Sequence, residues 1–414
     1  MRIRSLFISF ILIMITGFTM AQSYNIIIKG GHIIDPKNNI DAIMDLAIND
    51  GKIALVAKNI DAKEGKKVIN AGDMYVTPGI IDIHVHVYYG TKIDQGLMNG
   101  PNSVAPDAFS FRAGVTTFVD AGSSGWRSFP DFKRQTIDNS QTRVLAFLNI
   151  VGEGMRGGSF EQTTKDMDAH KTASFAKTYP KEIVGIKLAH YGDHKWEPTD
   201  SAAKAGRLAD LPVMVDFGSA DPPLSIEELF MKRLSPGDIF THVYAYFPET
   251  RETVVDENGR VKPFVIDAQK RGIIFDVGHG GGSFRWKQAI PAIQQGLIAD
   301  VISSDLHTGS MNSGMKDMAN LMSKFLCMGL SVQDVILWST WNPAKIIKRP
   351  ELGNLSVGTE ADVAIFSLSK GNFGFTDING EVKKGTQKFV AELTIRAGKI
   401  VWDLNGISAT EANN

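Results

Sequence analysis

The sequence predicts an α/β fold: a (β/α)8 TIM barrel framed by a discontinuous small β-sandwich domain built from both termini. Three observations predict it. Residues 79–345 alternate apolar strands with helical stretches, which is typical of a parallel sheet wrapped by helices. Eight such strands fit within the usual length of one barrel. Residues 22–78 and 346–406 instead consist of short strands and tight turns, and the tail 407–414 is polar.

The composition indicates a well-cored globular protein that acts on small molecules. The chain has 414 residues, of which 43% are hydrophobic and 40 are glycine, with a formal charge of -1. Because the chain has no basic run and no excess of positive charge, we predict no nucleic-acid partner. The expected partner is a small-molecule substrate, and a homo-oligomer is possible. The single cysteine, Cys327, excludes an internal disulfide.

The N-terminal segment predicts export. Arg2 and Arg4 precede the apolar run 6–18, and small residues up to Ala21 follow it. This order is typical of a secretory signal peptide, which we assign to residues 1–21. The mature protein is then periplasmic or secreted, with no membrane association after cleavage. The alternative is an uncleaved N-terminal anchor.

The order of the elements follows from apolar runs and turn signals. Asn49, Asp50 and Gly51 form a strong hairpin signal within the first half of the sandwich. Helices are expected at 225–234 and 286–295. A doubly wound open sheet is the alternative, but no Gly-x-Gly-x-x-Gly follows the first strand. The eight predicted barrel strands are 80–87, 115–121, 144–151, 183–188, 212–217, 238–243, 273–277 and 300–305.

The first barrel strand suggests a metal site. Asp82, His84 and His86 share one face of a regular strand whose other residues are apolar. Two imidazoles in such a strand need partners, since an unpaired buried polar group costs about 1 to 3 kcal/mol. The alternative is a pair of core histidines bonded to backbone carbonyls. Six of the eight predicted strands end in ligand-type residues, which supports a metal: His84 and His86, Lys187, Asp216, His242, His279 and Asp305.

These motifs resemble the amidohydrolase superfamily, and within it the amidohydrolase/deacetylase family of acetyl-mandelate deacetylase-like metallohydrolases. The similarity spans essentially the whole mature chain. The matching stretches are Pro-Gly-Ile-Ile-Asp-Ile-His-Val-His, Val-Gly-Ile-Lys, Asp-Ile-Phe-Thr-His, Phe-Asp-Val-Gly-His-Gly-Gly-Gly-Ser-Phe, Ile-Ser-Ser-Asp-Leu-His and a closing Gly-x-x-Ala-Asp-Val.

The resemblance implies a reaction and a set of roles. His84 and His86 would bind one metal and His242 a second, and Lys187 would be an N6-carboxylysine that bridges both. Two zinc ions about 3.5 to 4 Å apart would hold a hydroxide that attacks an acyl, in the first instance acetyl, amide or ester. Asp305 would be both ligand and general base, and Asp82 would orient a histidine from behind.

One residue departs from the family pattern. The family places a second histidine at the end of the fifth strand, where this chain has Asp216. Asp216 could bind the second metal through oxygen, or His190 or His194 could reach in from the loop after the fourth strand. The remaining alternatives are a one-metal site and a site that has lost activity.

Other polar residues near strand ends are candidates for substrate contacts. We expect His279 to face the substrate and donate to a developing oxyanion, although it could be a loop histidine bonded to solvent. Candidates for binding a substrate carboxylate or other polar group, each of which could equally be a solvated rim residue, are Tyr88, Arg156, Arg285 and His307.

Two further functions compete with the deacetylase prediction. One is a cyclic-amide hydrolase similar to dihydroorotase or hydantoinase, although Val87, Tyr88 and Tyr89 stand where dihydroorotases carry Arg-Glu-Pro. The other is a catalytically silenced metal-binding barrel, for which Asp216 would be responsible.

Overall fold

The computed structural model describes residues 24–90, 100–218 and 220–410, which form two β-sheets and a layer of helices. The predicted signal peptide, residues 1–21, lies outside the described residues. The strands are β1 (Tyr24–Asp35), β2 (Ile40–Asn49), β3 (Lys52–Ala57), β4 (Gly65–Asn70), β5 (Tyr75–Pro78), β6 (Ile80–Val85), β7 (Val115–Gly125), β8 (Arg143–Asn149), β9 (Ile183–Leu188), β10 (Val213–Val215), β11 (Ile239–Phe240), β12 (Ile274–Phe275), β13 (Val363–Thr376), β14 (Val382–Arg396) and β15 (Lys399–Asp403).

Most helices lie between the strands of the parallel sheet or directly after it. They are α1 (Pro106–Phe109), α2 (Phe129–Gln135), α3 (Ala169–Ala176), α4 (Glu197–Ala209), α5 (Ile226–Glu228), α6 (Pro263–Lys270), α7 (Trp286–Gln294), α8 (Thr308–Met311), α9 (Met318–Cys327), α10 (Val332–Ser339) and α11 (Trp341–Ile346). A π-helical turn, Leu229–Arg233, continues α5. In the described residues, no helix combines the length and apolar character needed to cross a bilayer.

The parallel sheet is a closed barrel. Strands β6 to β12 pair in chain order, and the eighth position is filled by residues 300–306, which form isolated parallel bridges to both neighbours. Asp276 pairs with Val301 on one side and Val85 pairs with Leu306 on the other. Buried apolar side chains from strands around the barrel form one cluster, which includes Ile83, Leu145 and Met214. The (β/α)8 prediction is therefore confirmed.

The second sheet joins both ends of the described chain. Its order is β15-β14-β13-β5-β1-β2-β3, with β4 pairing to β1. Strand β5 pairs in parallel with β1 and antiparallel with β13, so the N-terminal and C-terminal halves of this domain form one continuous mixed sheet. Their aliphatic side chains share a core, for example Ile28 and Leu46 with Ile365 and Leu393.

The β13–β14 hairpin reaches across to the barrel. Phe366, Phe375 and Phe389 belong to the same buried cluster as the barrel helices. The end of the hairpin, residues 376–381, lies against the segment that follows β12: Ile378 N donates to Phe284 O at 3.3 Å and Trp286 Nε1 to Glu381 O at 2.9 Å. The small domain thus contacts the chain directly after a barrel strand end.

Candidate active site

Donor atoms from the first, fourth, sixth and eighth barrel strands converge at one end of the barrel. Asp305 Oδ1 lies 3.6 Å from His84 Nε2 and 3.1 Å from His86 Nε2, and Lys187 Nζ lies 3.4 Å from His84 Nε2. Ligand-type atoms of His84, His242 and Asp305 all lie within 4.8 Å of one another. Residues far apart in the chain therefore form one compact donor cluster.

Each of the three histidines is fixed through its Nδ1 atom. His242 Nδ1 is 2.6 Å from Gly278 O, and His86 Nδ1 is 3.1 Å from Ser123 Oγ. Since a carbonyl oxygen only accepts, His242 Nδ1 carries the proton and Nε2 is left with a lone pair. This arrangement is typical of metal-binding histidines, whose second nitrogen is held by an outer partner.

His84 has the most elaborate anchor. Its Nδ1 lies 2.9 Å from Thr241 Oγ1, which in turn donates to Asp276 Oδ2 at 2.7 Å. The hydroxyl proton is thus used, so Thr241 accepts from the ring. Burial lowers the pKa of His84 to about 3, which keeps the ring neutral. His84 therefore presents a lone pair on Nε2 to the cluster.

The backbone is strained at two of the donors. His242 has a φ of 57° and Asp305 a φ of 49°, both in the left-handed region. Such conformations are uncommon for residues other than glycine and concentrate at functional sites. They turn both side chains inward where their strands end.

Lys187 is enclosed under the histidines. Its side chain is 0% exposed, and a Cβ on Gly122 would come within 2.6 Å of its Cβ and Cγ atoms, so β7, two strands away in the sheet, must carry glycine there. Burial lowers the pKa of Lys187 because a charged amine is poorly solvated in the interior. This favours the neutral amine, the form that can act as a nucleophile.

Asp216 faces a second set of nitrogen donors. Its Oδ2 is 3.6 Å from both His242 Nε2 and His190 Nε2, and Arg251 Nη1 lies 3.9 Å from its Oδ1. Burial acts to raise the pKa of Asp216, but its contacts with the imidazoles of His242 and His190 hold the pKa well below the usual range. Glu161 Oε2 is 2.9 Å from His190 Nδ1.

Of the two loop histidines considered as replacements for a fifth-strand histidine, only His190 approaches Asp216. His194 Nδ1 instead bonds Pro222 O at 2.8 Å.

The prediction that His279 faces the substrate is wrong. Its ring is fully buried and stacks on Phe284, with centroids 4.5 Å apart. Its Nδ1 lies 2.9 Å from Gly280 O, and its Nε2 lies 2.6 Å from the Lys324 amine. Both ring nitrogens are occupied within the protein, so neither can donate to an oxyanion.

Two of the predicted substrate-binding residues are also structural. Tyr88 is fully buried and its ring packs 5.0 Å from that of Phe132 on α2. Arg285 Nε bonds Asp377 Oδ2 at 3.2 Å at the end of the small-domain hairpin. Both predictions are wrong, because each side chain turns into a packed interface.

The remaining two candidates lie on loops at strand ends. The His307 ring is 6.3 Å from that of His86, and its Nδ1 caps α8 by accepting from Gly309 N at 3.1 Å. The Arg156 guanidinium stacks 3.8 Å from the Phe160 ring on the loop after β8. Their contact with substrate stays a prediction.

Asp82 is close to the cluster, but it does not orient a histidine ring as predicted. The register of β6 against β7 shifts between Asp82 and Val85, which breaks the alternation expected for a regular strand. Asp82 accepts from His84 N at 3.2 Å and Ser304 N at 3.0 Å. It therefore ties the first strand to the eighth, and the His84 ring is oriented by Thr241 and Asp276 instead.

Several residues of the site were not singled out from the sequence. Asp276 follows the seventh strand, and its position at a strand end was an available signal. Thr241 directly precedes His242, and nothing in the sequence signalled its role. Asp120 accepts from Val87 N at 2.9 Å and Ser123 N at 2.7 Å, which fixes the segment around His86. The other missed residues are Ser123, Glu161 and Arg251.

Comparison with known proteins identifies the family. Residues 285–401 match the model of the amidohydrolase family. A deacetylase of Brucella anthropi is 33% identical over 358 residues, covering 84% of this chain and 85% of that protein. A deacetylase of Agrobacterium fabrum is 33% identical over 343 residues, covering 81% of each.

The chain belongs to the amidohydrolase superfamily. It is a hydrolase that acts on carbon–nitrogen bonds, as the family match and the deacetylase-named relatives support. The prediction of the family from sequence motifs is thereby confirmed.

Solved structures agree with this amidohydrolase assignment. A structure titled as an adenine deaminase has a TM-score of 0.82 at 27% identity, covering 92% of this chain and 100% of that one. A dihydroorotase structure has a TM-score of 0.79 at 29% identity, covering 91% and 99%. A D-hydantoinase, at 17% identity and a TM-score of 0.60, shares the fold alone.

Proposed function

We propose that this amidohydrolase is a metal-dependent deacylase that removes an acyl group, acetyl in the first instance, from an amide or ester of a small molecule. The observation that carries the proposal is the convergence of His84, His86 and His242 with Asp305, each imidazole held at Nδ1. The deacetylase names of relatives that cover more than four-fifths of the chain support acetyl as the first group to test.

The donor set fits divalent metals. Neighbouring donor atoms are 3.1 to 3.6 Å apart, and those at 3.6 Å are too far for a hydrogen bond. Ligands that each lie about 2.0 to 2.2 Å from one zinc ion have similar separations. His84, His86 and Asp305 would hold one ion, and His242 with Asp216 a second. An aspartate in place of a histidine favours a harder second metal than a purely nitrogen site would.

Lys187 would join the two sites as an N6-carboxylysine. A neutral amine reacts with carbon dioxide to give a carbamate, whose two oxygens are anionic ligands. The burial of Lys187, which lowers its pKa, and its 3.4 Å approach to His84 Nε2 support this assignment. A native mass increased by one carbon dioxide, and lost in the Lys187→Ala variant, is the expected result.

The protein's own residues would supply orientation and proton transfer. Bound divalent ions would polarise the substrate carbonyl and make a water molecule more acidic. Asp305 would accept a proton from the attacking water at its carboxylate and return it to the leaving nitrogen or oxygen. Asp305 suits this role because the hydrogen bond with His86 Nε2, 3.1 Å away, holds its pKa below the usual range although burial acts to raise it, so it is ionised at neutral pH.

The test is turnover by purified protein of known metal content. We expect hydrolysis of some members of a panel of N-acetyl and O-acetyl compounds, loss of activity after exhaustive chelation, and recovery with zinc or manganese. Full activity after chelation would contradict the metal dependence. Opening of dihydroorotate or a hydantoin with all acetyl compounds inert would instead support a cyclic-amide hydrolase. A short match to a dihydroorotase, 40% identical over 87 residues, is the observation that favours this second candidate.

The Asp305→Asn variant separates an enzyme from a silenced metal-binding barrel. Removing a general base typically costs about 10²- to 10⁴-fold in rate, so we expect kcat to fall by that amount while the protein remains folded. The exposed Asp138→Asn variant is the control and should keep full activity. If wild type and Asp305→Asn are equally inactive and differ only in metal content, the barrel is silenced.

We also propose export of the protein, on the strength of Arg2, Arg4 and the apolar run 6–18. Recovery of a mature chain that begins near Gln22 from the periplasm or medium is the expected result. A full-length chain that begins at Met1 and sediments with membranes would favour the uncleaved anchor. Self-association into a homo-oligomer stays a prediction, which the molar mass measured by light scattering would test.

A further inference from the structure

A buried lysine on α9 makes three hydrogen bonds directly behind the donor cluster. Lys324 is 0% exposed, and its amine donates to Gly314 O at 2.8 Å, Thr376 O at 2.6 Å and His279 Nε2 at 2.6 Å. A buried amine with all three donors satisfied holds its partners in fixed positions. It therefore connects α9, the small-domain hairpin and the end of the seventh barrel strand.

The His279 ring is immobilised by this contact. Because the lysine donates to Nε2, the ring proton is on Nδ1, which donates to Gly280 O at 2.9 Å. Phe284 covers one face of the ring at an interplanar angle of 9°. The His279 backbone is also held, since His279 N donates to Ser303 O at 3.2 Å and Gly280 N to Ser304 O at 3.0 Å.

The two glycines beside His279 touch the donor cluster. A Cβ on Gly278 would lie 2.7 Å from His242 Nδ1 and 3.1 Å from His84 Nδ1, and a Cβ on Gly280 would lie 2.4 Å from Asp305 Oδ2. The turn 278–280 is therefore packed directly against three of the donors. Gly278 O is also the acceptor that fixes the His242 tautomer. A small displacement of this turn would move the donors.

We propose that Lys324 is a positioning residue of the metal site, which acts through His279 and the turn 278–280 to hold His242 and Asp305 in place. This inference rests on one part of the proposed function, namely that the donor cluster binds a cation. In this role Lys324 binds neither the cation nor the substrate itself. Through Thr376 O it also makes the small-domain hairpin part of the support for the site.

The test measures zinc affinity of the full-length protein by competition with a chromophoric chelator, without any substrate. Loss of an outer partner of a metal ligand typically weakens affinity by about 10- to 100-fold. Because Lys324 acts on the ligands only through His279 and the turn 278–280, we expect Lys324→Met to weaken zinc binding by about tenfold, the lower end of this range, and the exposed Lys370→Met to leave it unchanged. Unchanged affinity in a folded Lys324→Met variant would overturn the proposal.

A matched pair at His279 keeps the test decisive if Lys324→Met does not fold. His279→Gln keeps a hydrogen-bond acceptor for the Lys324 amine. His279→Met introduces a side chain of nearly the same shape as glutamine that lacks a comparable acceptor. We expect zinc affinity close to wild type for His279→Gln and at least about tenfold weaker for His279→Met. The double variant Lys324→Met/His279→Met should be no weaker than either single variant, since both break one connection. Equal affinities for the two His279 variants would overturn the proposal.

The tautomer of His279 gives a readout that needs no variant. Nitrogen-15 spectra of histidine-labelled wild-type protein should show His279 protonated at Nδ1 and unprotonated at Nε2. A proton on Nε2 would contradict donation by Lys324 and overturn the proposal. If the wild-type protein binds no zinc, the proposed function fails as well, whereas normal wild-type binding that no variant changes removes this inference alone.

Discussion

The imidazole of His84 depends on two side chains that lie behind it. Thr241 and Asp276 form a short relay to its Nδ1, so the direction in which Nε2 points is set by residues that bind no metal themselves. Such outer partners are often as important for affinity as the ligands they orient.

Removing the relay should weaken metal binding without unfolding the protein. In Thr241→Val the shape is kept, but His84 Nδ1 and Asp276 lose their shared hydroxyl. We expect zinc affinity to fall by about 10- to 100-fold, measured by chelator competition. The exposed Thr386→Val on β14 is the matched control. Equal affinity of Thr241→Val and wild type would show that the relay does not orient the ring.

Lys187 should make the stability of the metal-free protein depend on pH. Because burial lowers its pKa in the folded state, the unfolded chain binds more protons between that pKa and about 10.4. Unfolding free energy should therefore rise with pH across this window, by at most about 1.4 kcal/mol per pH unit. Lys187→Met should lack this rise.

The measurement is chemical denaturation of both proteins at pH 8, 9 and 10 in buffer free of carbon dioxide and metal. The difference between wild type and Lys187→Met should shift in favour of wild type as the pH increases. A constant difference would mean that the Lys187 pKa is not lowered by burial.

Most residues of the donor cluster could be predicted from the sequence. The wrong predictions for residues around the cluster share one cause. His84, Lys187, His242 and Asp305 come from different strands, yet each ends an apolar run, and the ends of parallel strands meet at one edge of a barrel. His279 and Arg285 also follow a strand end. The sequence cannot tell which way a loop side chain turns, and these two turn toward Lys324 and Asp377.

Among the elements, the end of the β13–β14 hairpin has the most unexpected role. Asp377 accepts from Arg285 Nε at 3.2 Å and from Trp286 N at 3.3 Å, and from Asn379 N within its own turn at 2.8 Å. One buried carboxylate therefore shapes the turn and anchors it to the barrel. The hairpin itself follows from its alternating strands, but its docking partner lies about 90 residues earlier and leaves no local signal.

Neutralising this carboxylate should destabilise the protein. Asp377→Asn leaves the largely buried Arg285 without its close charge partner, and loss of one member of a buried pair costs about 3 to 5 kcal/mol. We expect a lower free energy of unfolding by about 3 kcal/mol in urea denaturation. The exposed Asp73→Asn variant should match wild type. A change below about 0.5 kcal/mol, typical of surface substitutions, would contradict this role.

Strand boundaries were the least predictable part of the elements. Strands β10, β11 and β12 span two or three residues, whereas the sequence predicts five or six. The chain leaves the regular ladder early there because Asp216, His242 and Asp276 must turn inward at the strand ends. Apolar periodicity identifies the buried portion of a strand but not the point at which a side chain is diverted into a site.

At the scale of the whole molecule, the small domain and the barrel share one buried core although they belong to two sheets. Three phenylalanines of the small domain, Phe366, Phe375 and Phe389, are buried in the same cluster as the barrel helices. Burying one such ring contributes about 1.5 to 3 kcal/mol, a substantial share of the stability of a typical domain. The barrel would lose this stabilisation without the C-terminal strands.

A fragment that contains only residues 79–345 should therefore fail to fold cooperatively. We expect it to show no sharp thermal transition by circular dichroism and to bind a hydrophobic dye strongly, because the surface covered by these rings is exposed. The full-length chain is the control. A cooperative transition near that of the full-length protein would show that the barrel is autonomous.

The overall architecture was predictable because it depends on patterns that run through the whole chain. Continuous apolar runs separated by helical segments indicate a parallel sheet, and strand-rich ends with turn signals indicate a second sheet. What the patterns do not specify is that β5 pairs with both β1 and β13. That pairing depends on tertiary packing rather than on local preference.

The position of β5 has a consequence for biosynthesis. Thr77, on this strand, donates a hydrogen bond to Ala364, 287 residues later, so the sheet stays incomplete until nearly the entire polypeptide has left the ribosome. At about 5 to 20 residues per second, this delay lasts many seconds. During this time the N-terminal strands lack their C-terminal partners, so their unpaired edges remain open to association with other chains.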